Sequence, residues 1–136
     1  MTDLLKSLDL SASGMKAQGT RLRIISENVA NAGSTGTTPD DAPYQRKLVT
    51  FGSTLDRQLG AEVVEVKKIM RDTSEFGRRY QPGHPAADEN GYVQTSNVNT
   101  LVEMADMREA QRSYEANLSV LRSTRAMLQR TIELLR

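Results

Sequence analysis

The sequence predicts a mainly α chain carrying a small β insert: two long helical ends around a short strand-rich centre. Three observations carry this. The last third, from about Asn99 to Leu135, contains neither proline nor glycine and repeats apolar residues in steps of three and four. The first thirty residues repeat that spacing more weakly. Between the two, valine-rich runs alternate with turn residues. The boundaries that follow are 1–32 for an N-terminal helix, 33–97 for a loop and β insert, and 98–136 for a C-terminal helix.

The C-terminal helix is the strongest element. Its seam reads Met104, Met107, Gln111, Tyr114, Leu118, Leu121, Arg125, Leu128, Ile132, Leu135. A 4-3 alternation keeps one stripe facing a partner along a slightly underwound helix. Thr100 and Glu103 have the spacing of a capping box, each side chain reaching the other's backbone amide. At 1.5 Å per residue the rod spans roughly 55 Å. One seam on so long a rod cannot bury itself, so the helix needs a partner. Gln111 and Arg125 interrupt the seam where leucine would pack better, the kind of polar interruption that fixes register.

The N-terminal seam reads Leu5, Leu8, Ala12, Met15, Gly19, Leu22, Ser26, Val29, with Ile24 and Ile25 flanking it. Gly14 and Gly19 cost about 1 kcal/mol each against alanine in a helix interior. This helix is therefore weak alone and orders when docked. Asn31 and Gly33 are placed to end it in the left-handed conformation that both tolerate.

Residues 33–43 (GSTGTTPDDAP) read as a flexible surface linker. Tyr44–Phe51 and Glu62–Met70 read as strands, and Arg78–Tyr80 as a continuation of the same sheet. Asn90-Gly91 predicts a tight hairpin turn into Tyr92-Val93-Gln94. Two to four short strands cannot make a stable domain unaided.

Composition narrows the function. At 136 residues with 4% aromatic and 38% hydrophobic content, the chain has one domain's length and a thin core. A net charge of +1 without a basic cluster argues against nucleic-acid binding. No apolar run is long enough for a membrane span, and the N-terminus lacks the pattern of a cleaved signal peptide. The absence of cysteine excludes disulfides and thiolate chemistry. The single histidine, His84, sits between Pro82-Gly83 and Pro85, which makes it a turn residue without the partners a general base needs. Asp88-Glu89-Asn90-Gly91 lacks the alternate spacing of a calcium loop. No catalytic, cofactor-binding or metal-ligating set is present, so the reading is of a structural protein and not an enzyme.

Ser13-Gly14-Met15-Lys16-Ala17-Gln18, with Arg21-Leu22 and Ile25 through Ala32, resembles the N-terminal motif of bacterial flagellar axial proteins of the rod, hook and hook-associated kinds. Asn28 and Asn31 lie within it. Asn97-Val98-Asn99 through Met104, then Glu109 through Asn117, resembles their C-terminal motif. Tyr80 through Val93, containing Pro82, Gly83, His84, Pro85, Gly91 and Tyr92, resembles the segment particular to proximal-rod members. Glu27 stands where asparagine is commoner, and the Gly33–Thr38 turn is longer than usual.

The resemblance implies an antiparallel coiled coil of the terminal helices near the axis, with β structure further out. It implies a subunit of the proximal rod that self-assembles in a helical array, contacts other rod proteins and a rotor-ring adaptor, and transmits torque to the hook. It also implies passage unfolded through the flagellar type III export apparatus, without a cleaved signal, to the rod in the periplasm. Seam residues Leu8, Met15, Leu22, Val29 and their C-terminal counterparts would then serve assembly, with no cofactor. Three alternatives stand beside it: another rod paralogue, a non-flagellar coiled-coil interaction protein or chaperone, and a wall-cutting enzyme, for which no paired-carboxylate cleft is apparent.

Overall fold

The computed structural model describes residues 2–135 of the chain. In order it forms α1 (Thr2–Ala30), β1 (Lys47–Asp56), β2 (Ala61–Arg71), β3 (Gly77–Tyr80), β4 (Tyr92–Thr95) and α2 (Thr100–Leu134). Along the chain, two long helices of 29 and 35 residues thus flank two small hairpins, β1-β2 and β3-β4. No helix among the described residues is long and apolar enough to cross a membrane.

The start of α2 corrects the expected capping box. The cap is Asn99: its Oδ1 accepts from the amides of Leu101 at 3.1 Å and Val102 at 3.4 Å, and its carbonyl accepts from Glu103 N at 3.0 Å. Asparagine is the stronger N-cap residue, and with it in place Glu103 is released for another role. The end of α1 is also made differently. Among the described residues only Gly60 and Gly91 have positive φ, so neither Asn31 nor Gly33 is left-handed. Asn31 instead folds its Nδ2 back onto the Glu27 carbonyl at 2.8 Å, while its amide bonds Glu27 and Asn28.

The chain divides into two units. One contains Met1–Leu22, Val49–Lys68 and Arg108–Arg136. In it α1 approaches α2 at Gly14 and Asn117, and at Arg21, whose Nη2 lies 3.5 Å from Glu109 Oε2. The β1-β2 hairpin turns on an Asp56 carboxylate that accepts the Gln58 and Leu59 amides, and Gly60 closes it at φ +62°. Lys67 lies across Gly52, and the Thr54 hydroxyl donates to Glu65 at 2.7 Å. β1 begins three residues later than the sequence pattern suggests and runs on to Asp56, while β2 gains one residue at each end.

The second unit contains Arg23–Leu48 and Ile69–Met107. Ile24 and Ile25 do not flank a seam here; both are buried and, with Ala86 and Val93, form its apolar core. β3 pairs with β4, not with the first hairpin, in the register Gly77↔Thr95, Arg78↔Gln94, Arg79↔Val93, Tyr80↔Tyr92. Asn90-Gly91 does not make a two-residue hairpin turn. Residues 81–91 join the strands, with Gln81 N bonded to Gly91 O and a turn closed from Asp88 O to Gly91 N.

The segment 33–43 is a tied loop, not a loose linker. Thr35 bridges Thr95, and Ser96 N donates to Ser34 O. The Asp41 carboxylate accepts from both the Thr37 amide and hydroxyl, which hold its carboxyl below the usual range. Gly36 is required there, since a Cβ would collide with the Asp41 carbonyl.

Candidate functional site

Among the described residues the three most buried large side chains are Glu103, Val93 and Asn28, with Glu103 and Asn28 each 1% exposed. Two of the three are polar, and one of those two, Glu103, is ionisable. A buried carboxylate costs several kcal/mol unless it is paired, so its partners define what the surrounding structure is for.

Those partners come from four segments of the second unit. The end of α1 supplies Asn28, whose carboxamide is fully used. Nδ2 donates to Lys47 O at 2.8 Å and to Glu103 Oε2 at 3.0 Å. Oδ1 accepts from Tyr44 Oη at 2.8 Å and Lys47 N at 2.9 Å. Two donors and two lone pairs, all satisfied, are the complete inventory of an amide side chain. The segment leading into β1 supplies Arg46, whose Nε donates to Glu103 Oε1 at 2.5 Å. Its Nη1 lies 3.3 Å from Asp72 Oδ2 and its Nη2 lies 3.7 Å from Asp106 Oδ2. One guanidinium thus faces three carboxylates, two of them on the first turns of α2.

The backbone of the same segment is held as firmly. Arg46 N donates to Asn97 Oδ1 at 2.7 Å, and Arg46 O accepts from Asp72 N at 2.8 Å. Asn97 Nδ2 reaches the Asp72 and Ser74 carbonyls and the Ser74 hydroxyl, all at 3.1 Å. Lys47 Nζ pairs with Glu27 on α1 and lies 6.0 Å from the Tyr44 ring centre. The knot therefore binds the last turn of α1, the entry to β1, the exit of β2 and the start of α2 to one another.

Its electrostatics agree. Burial of the Arg46 guanidinium alone would lower its pKa, but the hydrogen bonds and charges of Glu103 and Asp72 outweigh that and raise it. Asp72 is held below the usual carboxylate range, first by the Ser74 amide and hydroxyl and then by Arg46. Burial raises the Tyr44 phenol, helped by Glu27 and Glu103 and opposed by Arg71. No nucleophile–base pair arises from this geometry, and no group of residues suited to a metal ion is found among the described residues. The arrangement is a structural joint.

The residues singled out by sequence fall in several places. Met107, Tyr114, Leu118, Leu121 and Leu128 are half-buried on α2, whereas Met104, Gln111, Arg125 and Ile132 are exposed. The least exposed stripe takes the preceding residue at alternate steps: Glu103, Ala110, Asn117, Thr124 and Thr131. On α1, Leu8, Met15, Leu22 and Val29 are half-buried while Leu5, Ala12 and Ser26 are exposed. Of the motif residues, Asn28 is in the knot and Asn31 caps α1. Pro82, Gly83, His84 and Pro85 lie in the β3–β4 connection. There His84 Nδ1 accepts the Ala86 amide at 3.0 Å, which leaves Nε2 to carry the proton facing the Thr35 hydroxyl at 3.4 Å. Gly91, at φ +82°, lies under the Tyr80 ring, which meets Tyr92 edge-on at 5.3 Å between centres.

Sequence reasoning missed Tyr44, Arg46, Asp72, Asn97 and the true role of Glu103. One signal was present: Glu103 continues the seven-residue spacing of Ala110, Asn117 and Thr124, but those residues are small or polar and an apolar count passes over them.

Two family models match the chain. Residues 8–36 match the flagella basal body rod protein family, and residues 89–134 match the C-terminal family of flagellar basal body rod FlgEFG proteins. The chain is 56% identical over 136 residues to the flagellar basal-body rod protein FlgC of Agrobacterium fabrum, covering 100% of this chain and 98% of the relative. It is 37% identical over 131 residues to the FlgC of Salmonella typhimurium (96% and 97% covered) and 37% over 143 residues to that of Bacillus subtilis (94% and 95% covered). The chain belongs to the flagellar basal-body rod protein family, with the FlgC proteins, and is a structural subunit of that rod and not an enzyme.

Proposed function

We propose that this subunit builds the proximal rod, self-associating in a helical array with other rod proteins and a rotor-ring adaptor and passing torque towards the hook. In this reading 1–32 and 98–136 are the axial helical part, paired as an antiparallel coiled coil, and 33–97 is the outer insert. The single observation that carries it is kinship with a FlgC protein over all of this chain and 98% of the relative. Antiparallel pairing is supported by the order of the contacts: Gly14 meets Asn117 and Arg21 meets Glu109, so ascending α1 descends α2.

The exposed residues Met104, Gln111, Arg125 and Ile132 are then assembly contacts, and the half-buried Leu8, Met15, Leu22, Val29, Met107, Tyr114, Leu118, Leu121, Leu128 hold the pair. Export through the flagellar type III apparatus without a cleaved signal, to a rod in the periplasm, completes the reading. The thin apolar core, with three alanines among the six buried apolar residues described, suits a chain that crosses a narrow channel unfolded. Epitope-tagged protein followed into purified basal bodies, with electron microscopy of a deletion strain, tests the reading. Tag in the proximal rod and rods lost on deletion are expected. Protein confined to the cytosol, or complete rods without it, would overturn the reading.

A further inference from the structure

We propose that Gly14 and Asn117 form the register key of the helix pair: a notch on α1 and a knob on α2 that set which turns of the two helices lie together. The proposal rests on the antiparallel pairing argued above. A Cβ at position 14 would lie 2.9 Å from Asn117 Nδ2, 3.2 Å from its Cγ and 3.3 Å from its Oδ1, so the whole carboxamide sits over the bare glycine backbone. Asn117 is fixed in that pose by its own helix, with Nδ2 donating to Ser113 O at 3.1 Å.

The neighbouring turns show why this is a key and not merely a contact. Residues seven apart share a position along a coiled-coil seam, and on α1 the series is Ser7, Gly14, Arg21, Asn28. Only Gly14 lacks a Cβ. A slip of one heptad either way brings Ser7 or Arg21 beneath the Asn117 carboxamide, where a side chain would push it off its bond to Ser113 O. Leucine-rich seams slip because successive heptads look alike; one polar residue that fits a single place removes the degeneracy. The other glycine of α1 supplies the contrast. A Cβ on Gly19 would meet nothing within 4 Å. Gly14 is kept for space, whereas Gly19 merely weakens the helix.

The chain has no cysteine, so two introduced cysteines can carry spin labels cleanly. Ala12→Cys and Ala116→Cys are both on exposed positions of the paired helices. In the full chain their distance distribution should be single and narrow. Adding Asn117→Ala should broaden that distribution, with the Asn28–Glu103 bond keeping the helix ends together. In parallel melts, Gly14→Ala should lower Tm by roughly 5 °C and Gly19→Ala should raise it by about 2 °C. Gly14→Ala combined with Asn117→Ala should recover at least half of the loss. A narrow wild-type distribution left unchanged by Asn117→Ala, or Gly14→Ala behaving like Gly19→Ala, removes the key and leaves the pairing intact. A wild-type distribution that is already broad removes the pairing and the key together.

Discussion

Asn28 Nδ2 donates to Glu103 Oε2 at 3.0 Å, with both side chains almost wholly out of water. The last turn of one helix thereby holds the first turn of the other through a polar contact, at the place where a globular protein would put leucine. Both groups are affordable there only because Arg46, Tyr44 and the Lys47 backbone complete their bonding.

Replacing Asn28 separates shape from donor chemistry. Asn28→Ala leaves the Lys47 amide and carbonyl without their bonds, at a cost of about 1–3 kcal/mol for the polar groups left unsatisfied. Asn28→Asp keeps the shape but turns two donated bonds into oxygen–oxygen contacts, one against the Glu103 carboxylate. At neutral pH the aspartate variant should be the less stable of the two, as read from urea midpoints at pH 7.

The displacement of the α2 stripe makes neighbouring residues behave oppositely. Thr124 is 5% exposed and Arg125 is exposed. Thr124→Asp should therefore destabilise the isolated chain by about 3 kcal/mol or more through an unpaired buried charge. Arg125→Leu should change its stability by less than about 0.5 kcal/mol. Equal responses from the two positions would restore the stripe through Arg125.

Acid should loosen the knot through Asp72. Its folded pKa lies below the unfolded value of 3.8, so the unfolded chain binds the proton more tightly. The stabilisation is complete above 3.8 and is lost as pH falls through the lower folded value. Asp41 is shifted in the same direction. Melts between pH 6 and pH 2 should show a falling acid limb, which Asp72→Asn makes shallower.

Gly91 combines a left-handed backbone with a ring packed on it: a Cβ would lie 2.9 Å from Tyr80 Cε2 and 3.1 Å from Pro82 Cβ. Gly91→Ala should cost about 1–2 kcal/mol in backbone strain alone and shift the Tyr80 ring from Tyr92. Loss of tyrosine near-ultraviolet circular dichroism, with helix content unchanged, is the expected readout.

The sequence made the two helices legible because each spans many turns of consistent periodicity, and the valine-rich runs revealed strands for the same reason. The knot was not legible. Periodicity reports apolar residues, and here the buried positions on α2 are Glu103, Ala110 and Thr124. Choosing Met104 over Glu103 moved half the stripe by one residue. The capping reading of Glu103 was locally sound, but Asn99 is the better cap and Arg46, 57 residues away along the chain, supplies the partner that local spacing cannot reveal. The loop 33–43 was misread likewise, since composition marks a turn but not its bridge to Thr95.

The claim that a buried ionic joint, more than apolar packing, holds the helix ends to the insert is tested most directly by a double-mutant cycle on Arg46 and Glu103. Urea unfolding would be measured for the wild type, Arg46→Met, Glu103→Leu and the double variant. Arg46→Met alone should cost about 3–5 kcal/mol, because Glu103 is left buried without its cation. The double variant should be more stable than Arg46→Met alone, with a coupling of at least about 1.5 kcal/mol. Additive single effects, with a coupling near zero, would contradict the account.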